Sequence, residues 1–240
     1  MYLKKQLESY FHRIIRKTGY DVVKTKYSKH ELGVDELLEY FKIETVLDIG
    51  ANIGQYGKYL RIDGYKNDII SFEPIKHVYS QLEANIRKDS KWIAYNYAIG
   101  DFDGSSQINI SQNIVSSSIM DIKASHVEAA ADSVYIAKEE IKVKKLDSIF
   151  DEMGIKNKRI YMKLDTQGFE YKVLQGAINS LKYIDTLQIE MAVQPLYEGE
   201  ELYYKISDFL YQMDYKLIKI VRGLTRENGE LLQFDGVFHR

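Results

Sequence analysis

The chain has 240 residues, 45% apolar and 28% charged, which suits one α/β core with additions, and no run approaches the roughly 18 apolar residues that a membrane span needs. It has no cysteine, which excludes disulfides, thiolate metal sites and thiol catalysis and makes the cytoplasm the expected compartment. The net charge of −2 gives little general attraction for a nucleic-acid backbone, so no nucleic-acid partner is expected, and no secretory leader is read either.

Charge is concentrated at the start. Residues 1–30 carry Lys4, Lys5, Arg13, Arg16, Lys17, Lys24, Lys26 and Lys29 against Glu8 and Asp21. Leu3, Leu7, Tyr10, Phe11, Ile14 and Ile15 recur at helical spacing up to Gly19, which predicts a basic amphipathic helix over residues 1–19. Its apolar stripe can pack on the body, meet a second subunit, or give peripheral contact with the inner face of an anionic membrane. Residues 1–40 are read as this basic helical extension and 41–240 as the main domain, with a short helix over Asp35–Phe41 between them.

Thr45–Gly54 reads TVLDIGANIG, an apolar strand that ends in Asp48 and opens into Gly50 and Gly54. The glycines permit a sharp turn and close approach to a ligand. A dinucleotide loop would place glycine at Asn52 and would not place Asp48 beside a pyrophosphate. An acid there suits a ligand with an ammonium group and no phosphate, such as S-adenosylmethionine. The next strand, Asp68–Glu73, ends in a second acid placed to accept ribose hydroxyls.

A helix over Val78–Lys88 and a third strand over Trp92–Ala98 complete a β-α-β-α-β half. Ser105–Ser111 alternates like an extra strand, and Gln112–Glu140 shows no strong strand, only Ser116–Ser118 and an Ala-rich, weakly helical patch expected to act as a substrate lid. Ile141–Leu146 is predicted as a strand, followed by a short helix capped by Asp147. Strands over Tyr161–Leu164 and Thr186–Ile189 should stop at Asp165 and Glu190, with helices over Glu170–Leu181 and Glu201–Met213. Tyr215–Val221 and Leu231–His239 close the chain as a hairpin around Asn228-Gly229.

Over residues 40–240 the chain resembles the FkbM-type S-adenosylmethionine-dependent methyltransferases, through VLDIGANIGQY, SFEP, NYAIGD, the serine triplet, KLDTQGFE, LQIEM and DGVFHR. The resemblance implies a Rossmann-like seven-stranded methyltransferase sheet, mostly parallel with one antiparallel strand and helices on both faces. It also implies O-methylation of a hydroxylated small molecule or glycan, as in polysaccharide or natural-product biosynthesis. Carried onto this sequence, Asp48, Gly50, Asn52 and Gly54 would form the methionine-side loop, Glu73 would hold the ribose, Asn96 and Ala98 would lie near the adenine, and Asp101 would partner its amino group.

Methyl transfer to an alcohol needs a group that takes the hydroxyl proton. Asp165, Glu170 and Glu190 are the candidate acceptors because adjacent strand ends bring them together, and His126 in the lid is a further candidate, against its reading as an exposed loop residue. The same carboxylates can hold a Mg²⁺-like ion, which is not the favoured reading. Ser116–Ser118 bind a ligand or cap a turn. A non-catalytic cofactor-binding module, or methylation of a nitrogen or a nucleic acid, are the alternatives, although no Asp/Asn-Pro-Pro-aromatic turn for amino methylation is present.

Overall fold

The computed structural model describes residues 33–240. The chain divides into two units at the Leu37–Leu38 boundary. The basic helix expected over residues 1–19 lies outside the described residues. What is described begins with α1 (Val34–Tyr40).

The second unit is built on a seven-stranded sheet. Its strands are β1 (Thr45–Ile49), β2 (Asp68–Phe72), β3 (Trp92–Tyr95), β7 (Ile160–Leu164), β8 (Thr186–Ala192), β9 (Lys216–Arg222) and β10 (Gln233–His239), in the order β3-β2-β1-β7-β8-β10-β9. All pairs are parallel except those made by β10, which runs against both β8 and β9. The reversal follows from connectivity: a turn at Arg226–Glu230, with Gly229 at φ +87°, joins β9 to β10, and such a short connection can only return the chain antiparallel.

Central strands are buried on both faces, so they read as apolar runs with few polar interruptions. Because successive side chains alternate, Leu47, Ile49, Ile70 and Phe72 face one layer. There they join Leu146 and Ile149 of α5 (Leu146–Ile149), Val173 and Leu174 of α6 (Glu170–Gln175), and Ile206 and Leu210 of α7 (Tyr203–Gln212) in one cluster. On the other side of the sheet, the Trp92 indole lies so close to α2 (Gln55–Ile62) that a Cβ at Gly57 would meet it at 2.2 Å. Helix α3 (Lys76–Ile86) buries Val78, Leu82 and Ile86.

Three local expectations need correction. The third strand does not run to Ala98: the Asn96 side-chain amide donates to the carbonyls of Glu73 and Pro74 at 3.0 and 2.9 Å, and the chain leaves the main sheet there. Ala98–Ile99 becomes β4 of a second sheet, ordered β4-β6-β5, with β5 (Gly104–Ser111) and β6 (Tyr135–Lys144). Strand β6 begins six residues earlier than the alternation suggests, pairing along the whole of β5, so part of the expected lid is sheet. Asp147 does not cap its own helix. Its carboxylate accepts from the backbone of Asn179 and Ser180 at 3.0 and 2.8 Å, pinning the turn after α6.

Candidate active site

Strand order reverses at β1, which has β2 on one side and β7 on the other. In open α/β sheets the ligand crevice opens beyond the carboxyl ends of the strands at such a point. A cavity of about 500 Å³ lies there, within the size range of small-molecule sites. Asp48, Glu73, Asp165 and Glu190 all line it.

Asp48 is fully buried and in register with Ser71 of β2 and Lys163 of β7. Its Oδ2 accepts from Ser71 Oγ at 3.4 Å, and Ser71 Oγ accepts from Trp92 Nε1 at 3.0 Å. Its Oδ1 has no hydrogen-bond partner among the described residues. Burial pushes the Asp48 carboxyl up to about 6, against the opposing pull of the Lys163 ammonium. A buried carboxylate oxygen left unpaired is costly, so Oδ1 marks a place where a donor group is wanted.

The loop beyond Asp48 is shaped to bring backbone close. Gly50 sits at φ +82°, and a Cβ there would lie 1.9 Å from the main-chain oxygen of Asp165. Asn52 takes φ +49°, and its backbone N–H donates to Glu73 Oε2 at 2.9 Å. Glu73 Oε1 accepts from the Ile75 N–H at 2.8 Å. Each Glu73 oxygen keeps a second lone pair, since a carboxylate offers about four acceptor sites. Burial raises the Glu73 carboxyl to about 7 despite these two donors. Gly54, at φ +86°, opens α2.

Beyond β7, a second cluster forms. Asp165 Oδ2 pairs with Lys163 Nζ at 2.7 Å, and Asp165 Oδ1 accepts from Gln167 Nε2 at 2.9 Å. The same Gln167 nitrogen donates to Glu190 Oε2 at 2.8 Å, and Gln167 Oε1 accepts from the Tyr197 hydroxyl at 2.7 Å. Burial works to raise the Asp165 carboxyl, but the Lys163 charge and these hydrogen bonds hold it below its ordinary value. Glu190 has no such cation to itself. Burial first, then the charges of Asp165, Glu170 and Asp235, push it well above the usual carboxylate range. Glu190 does not end its strand: β8 continues to Ala192, with Glu190 opposite Asp235 of β10.

The remaining predicted positions divide. Ala98 lines the cavity. Asn96 and Asp101 do not; Asn96 ties down the β2 turn, and Asp101 pairs with Lys172 at 3.0 Å. Glu170 is also off the wall: its Oε1 accepts from the Thr166 N–H and hydroxyl at 2.7 and 3.0 Å, bracing the turn that carries Asp165 and Gln167. Burial, then the Glu200 charge, raises the Glu170 carboxyl to about 8. Asp165 is not a helix cap, since α6 starts after Phe169. His126 is not exposed. It is 3% accessible on α4 (Ala124–Ala129), lines the cavity and meets the Tyr197 ring edge-on at 5.1 Å.

Lys163, Gln167 and Phe169 line the cavity without having been singled out from the sequence. Lys163 carried a readable signal, a lone charge inside the apolar strand IYMKL. Gln167 carried a weaker one, a side chain before glycine in a turn where both residues take positive φ.

Asp165 is engaged by Lys163 and Gln167, Glu190 by Gln167 and Glu170 by Thr166, and among the described residues no three His, Cys, Asp or Glu side chains are grouped to hold an ion.

These charge states predict how stability responds to pH. Asp48, Glu73 and Glu170 ionise near 6, 7 and 8 in the folded chain, against ordinary values of 3.8 for Asp and 4.5 for Glu. Between the ordinary and raised values the folded state holds protons that the unfolded state has released, so stability falls as pH rises through that window. His126 and His239, both lowered by burial, act in the opposite sense but are outnumbered, because Glu190, Glu200 and Asp235 are also raised. The Tm of the unliganded protein is therefore expected to fall from pH 5 to pH 8; a rise across that range would contradict the burial of these acids.

No curated protein sequence matches the chain. Among solved structures, the chain is similar to TehB from Haemophilus influenzae (13% identity, 90% of this chain and 65% of that one, TM-score 0.46). It is also similar to a SAM-dependent methyltransferase from Aquifex aeolicus (11%, 86% and 89%, 0.44). A third is a fibrillarin from Aeropyrum pernix, solved with natively bound S-adenosyl-L-methionine (9%, 81% and 66%, 0.43). The family description "Methyltransferase FkbM domain" matches residues 48–217, from the buried acid of β1 into β9. That match spans more than half of the chain and includes the loop and the acid cluster, so the protein belongs to the FkbM methyltransferase family.

Proposed function

We propose that this protein transfers the methyl group of S-adenosylmethionine to a hydroxyl oxygen of a sugar, glycan precursor or natural-product scaffold, with the carboxylates of the cavity taking the proton. The observation that carries the reading is the unpaired Asp48 Oδ1, buried beside the Gly50 loop at the strand reversal. An ammonium group satisfies that oxygen, and no dinucleotide phosphate does. When bound, S-adenosylmethionine supplies a methyl carbon on a positively charged sulfur, which departs as a neutral thioether.

The chain's own residues do the rest. Asp48 and the Asn52 loop hold the amino-acid end, Glu73 accepts from the ribose, and Ala98 with Phe169 offers apolar surface for a flat base. Asp101 and Asn96 lie off the cavity and hold neighbouring turns instead. Asp165, kept ionised by Lys163, supplies fixed negative charge beside Glu190. Burial, and then that charge, raise the proton affinity of Glu190, which makes it the better acceptor for the hydroxyl proton. Glu170 acts one step back, by fixing the Thr166 turn. Holding the reactants in line contributes on the order of 7–11 kcal/mol, and a positioned base about 10²- to 10⁴-fold more.

Two experiments test this reading. Methyl-labelled S-adenosylmethionine should leave its label on ether oxygen in a hydroxylated acceptor; label found only on nitrogen would overturn the oxygen assignment. Glu73→Ala should weaken cofactor binding by about 10- to 100-fold, since a hydrogen bond to a charged group contributes roughly 1.5–3 kcal/mol. Unchanged affinity, read by calorimetric titration, would remove Glu73 from the cofactor site.

A further inference from the structure

On the methyl-transfer reading above, we propose that the outer wall of the cavity, formed by Asn113–Ile119 with His126 and Leu224, binds an uncharged acceptor that presents a hydroxyl beside an apolar surface, and turns phosphorylated or carboxylated acceptors away.

Charge is the first argument. Four acids line the cavity, and among the described residues Lys163 is the one Lys or Arg on its wall. Lys163 is already paired with Asp165 at 2.7 Å and carries the Tyr56 ring 5.2 Å from its ammonium. An anionic group on the acceptor would lose its water and meet no free cation in exchange.

Shape and polarity are the second. Ile108, Ile114, Val115, Ile119 and Leu224 line the cavity, and Val115 is 54% exposed, so apolar surface stands uncovered at the wall. The polar groups between them are mostly spent. Asn113 and Ser116 bond each other through Asn113 Nδ2 and Oδ1, the Ser117 hydroxyl donates to the Ile114 carbonyl at 2.7 Å, and the Ser118 hydroxyl donates to the Gln167 carbonyl at 2.6 Å. The serine triplet therefore builds the wall. His126 is different: Nδ1 has no hydrogen-bond partner among the described residues, and burial keeps the ring neutral by lowering its pKa. A neutral imidazole hydrogen-bonds a hydroxyl without attracting an anion.

Backbone conformation is the third. Ile114 holds φ +65°, a conformation that β-branched residues rarely adopt, and the serine bonds on either side fix it there. Strain of this kind collects at ligand walls, where surrounding contacts over-determine it.

The test uses the full chain saturated with S-adenosylhomocysteine and four probes: octyl β-glucoside below its micelle concentration, methyl β-glucoside, glucose 6-phosphate and glucuronate. Calorimetric titration should give octyl glucoside at least tenfold tighter binding than methyl glucoside, and no binding of the two anions. His126→Gln should weaken the octyl glucoside tenfold or more. Val115→Asp, at an exposed position where folding is not at stake, should do the same. Anions that bind as tightly as the neutral glycosides, or the absence of binding by either glycoside, would overturn the inference while S-adenosylhomocysteine still binds. Failure of S-adenosylhomocysteine itself to bind would instead remove the methyl-transfer reading on which the inference rests.

Discussion

Gly50→Ala is expected to abolish cofactor binding and to lower the stability of the protein. Two costs add at this position. Its φ of +82° is open to glycine, whereas a side chain in the left-handed region costs roughly 1–2 kcal/mol. The added Cβ would also sit 1.9 Å from the Asp165 carbonyl oxygen, which is backbone and cannot rotate away. Either the Gly50 loop or the Asp165 turn must move, and both segments line the cavity. Calorimetric titration with S-adenosylhomocysteine should show at least a hundredfold loss of affinity, alongside a lower Tm. Affinity within threefold of the unaltered chain would show that the loop does not approach the ligand.

The second large effect separates the two acids that Gln167 bridges. Glu190→Gln replaces the carboxyl by an amide of the same shape, so the fold should tolerate it. Turnover should fall by about 10²-fold or more if Glu190 takes the hydroxyl proton. Asp165→Asn behaves otherwise, because it strips the partner from Lys163 in a setting where the Lys163 side chain is only 13% exposed. The Asp165 carboxylate is itself 35% exposed, which screens the pair, so the stability loss should be about 1–3 kcal/mol rather than the larger cost of a sealed ion pair. The rate of the unaltered enzyme should climb as pH rises through the raised pKa of Glu190, since only the ionised carboxylate accepts a proton. A rate that does not rise with pH and is retained in Glu190→Gln would take the role away from this residue.

Much of this arrangement was legible in the sequence, and the parts that were not share a physical cause. The strand-loop TVLDIGANIG could be read because local backbone needs dictate it: an apolar run for a doubly buried strand, then residues able to take positive φ. The acids at the ends of β1, β2 and β7 could be placed together because parallel strands bring the same ends to the same side of the sheet. What periodicity does not encode is which tertiary partner a side chain finds. Glu170 sits four residues beyond Thr166 and bonds back to it, so it braces the turn instead of facing the cavity. His126 lies in a stretch of weak pattern, and only the packing of α4 against Tyr197 buries it. Asn96 has the composition of a strand end but bonds backward to Pro74, and that bond ends β3.

The most direct test of cofactor identity is the melting temperature of the purified full chain with S-adenosylmethionine, S-adenosylhomocysteine or a nicotinamide dinucleotide. Ligand at a hundredfold excess over its Kd stabilises a protein by about 2.7 kcal/mol, on the order of 5–10 °C for a chain of this size. The geometry at Asp48, Gly50 and Glu73 predicts a shift of that order with both S-adenosyl compounds and none with the dinucleotide. No shift with either S-adenosyl compound, together with a clear shift with the dinucleotide, would contradict it.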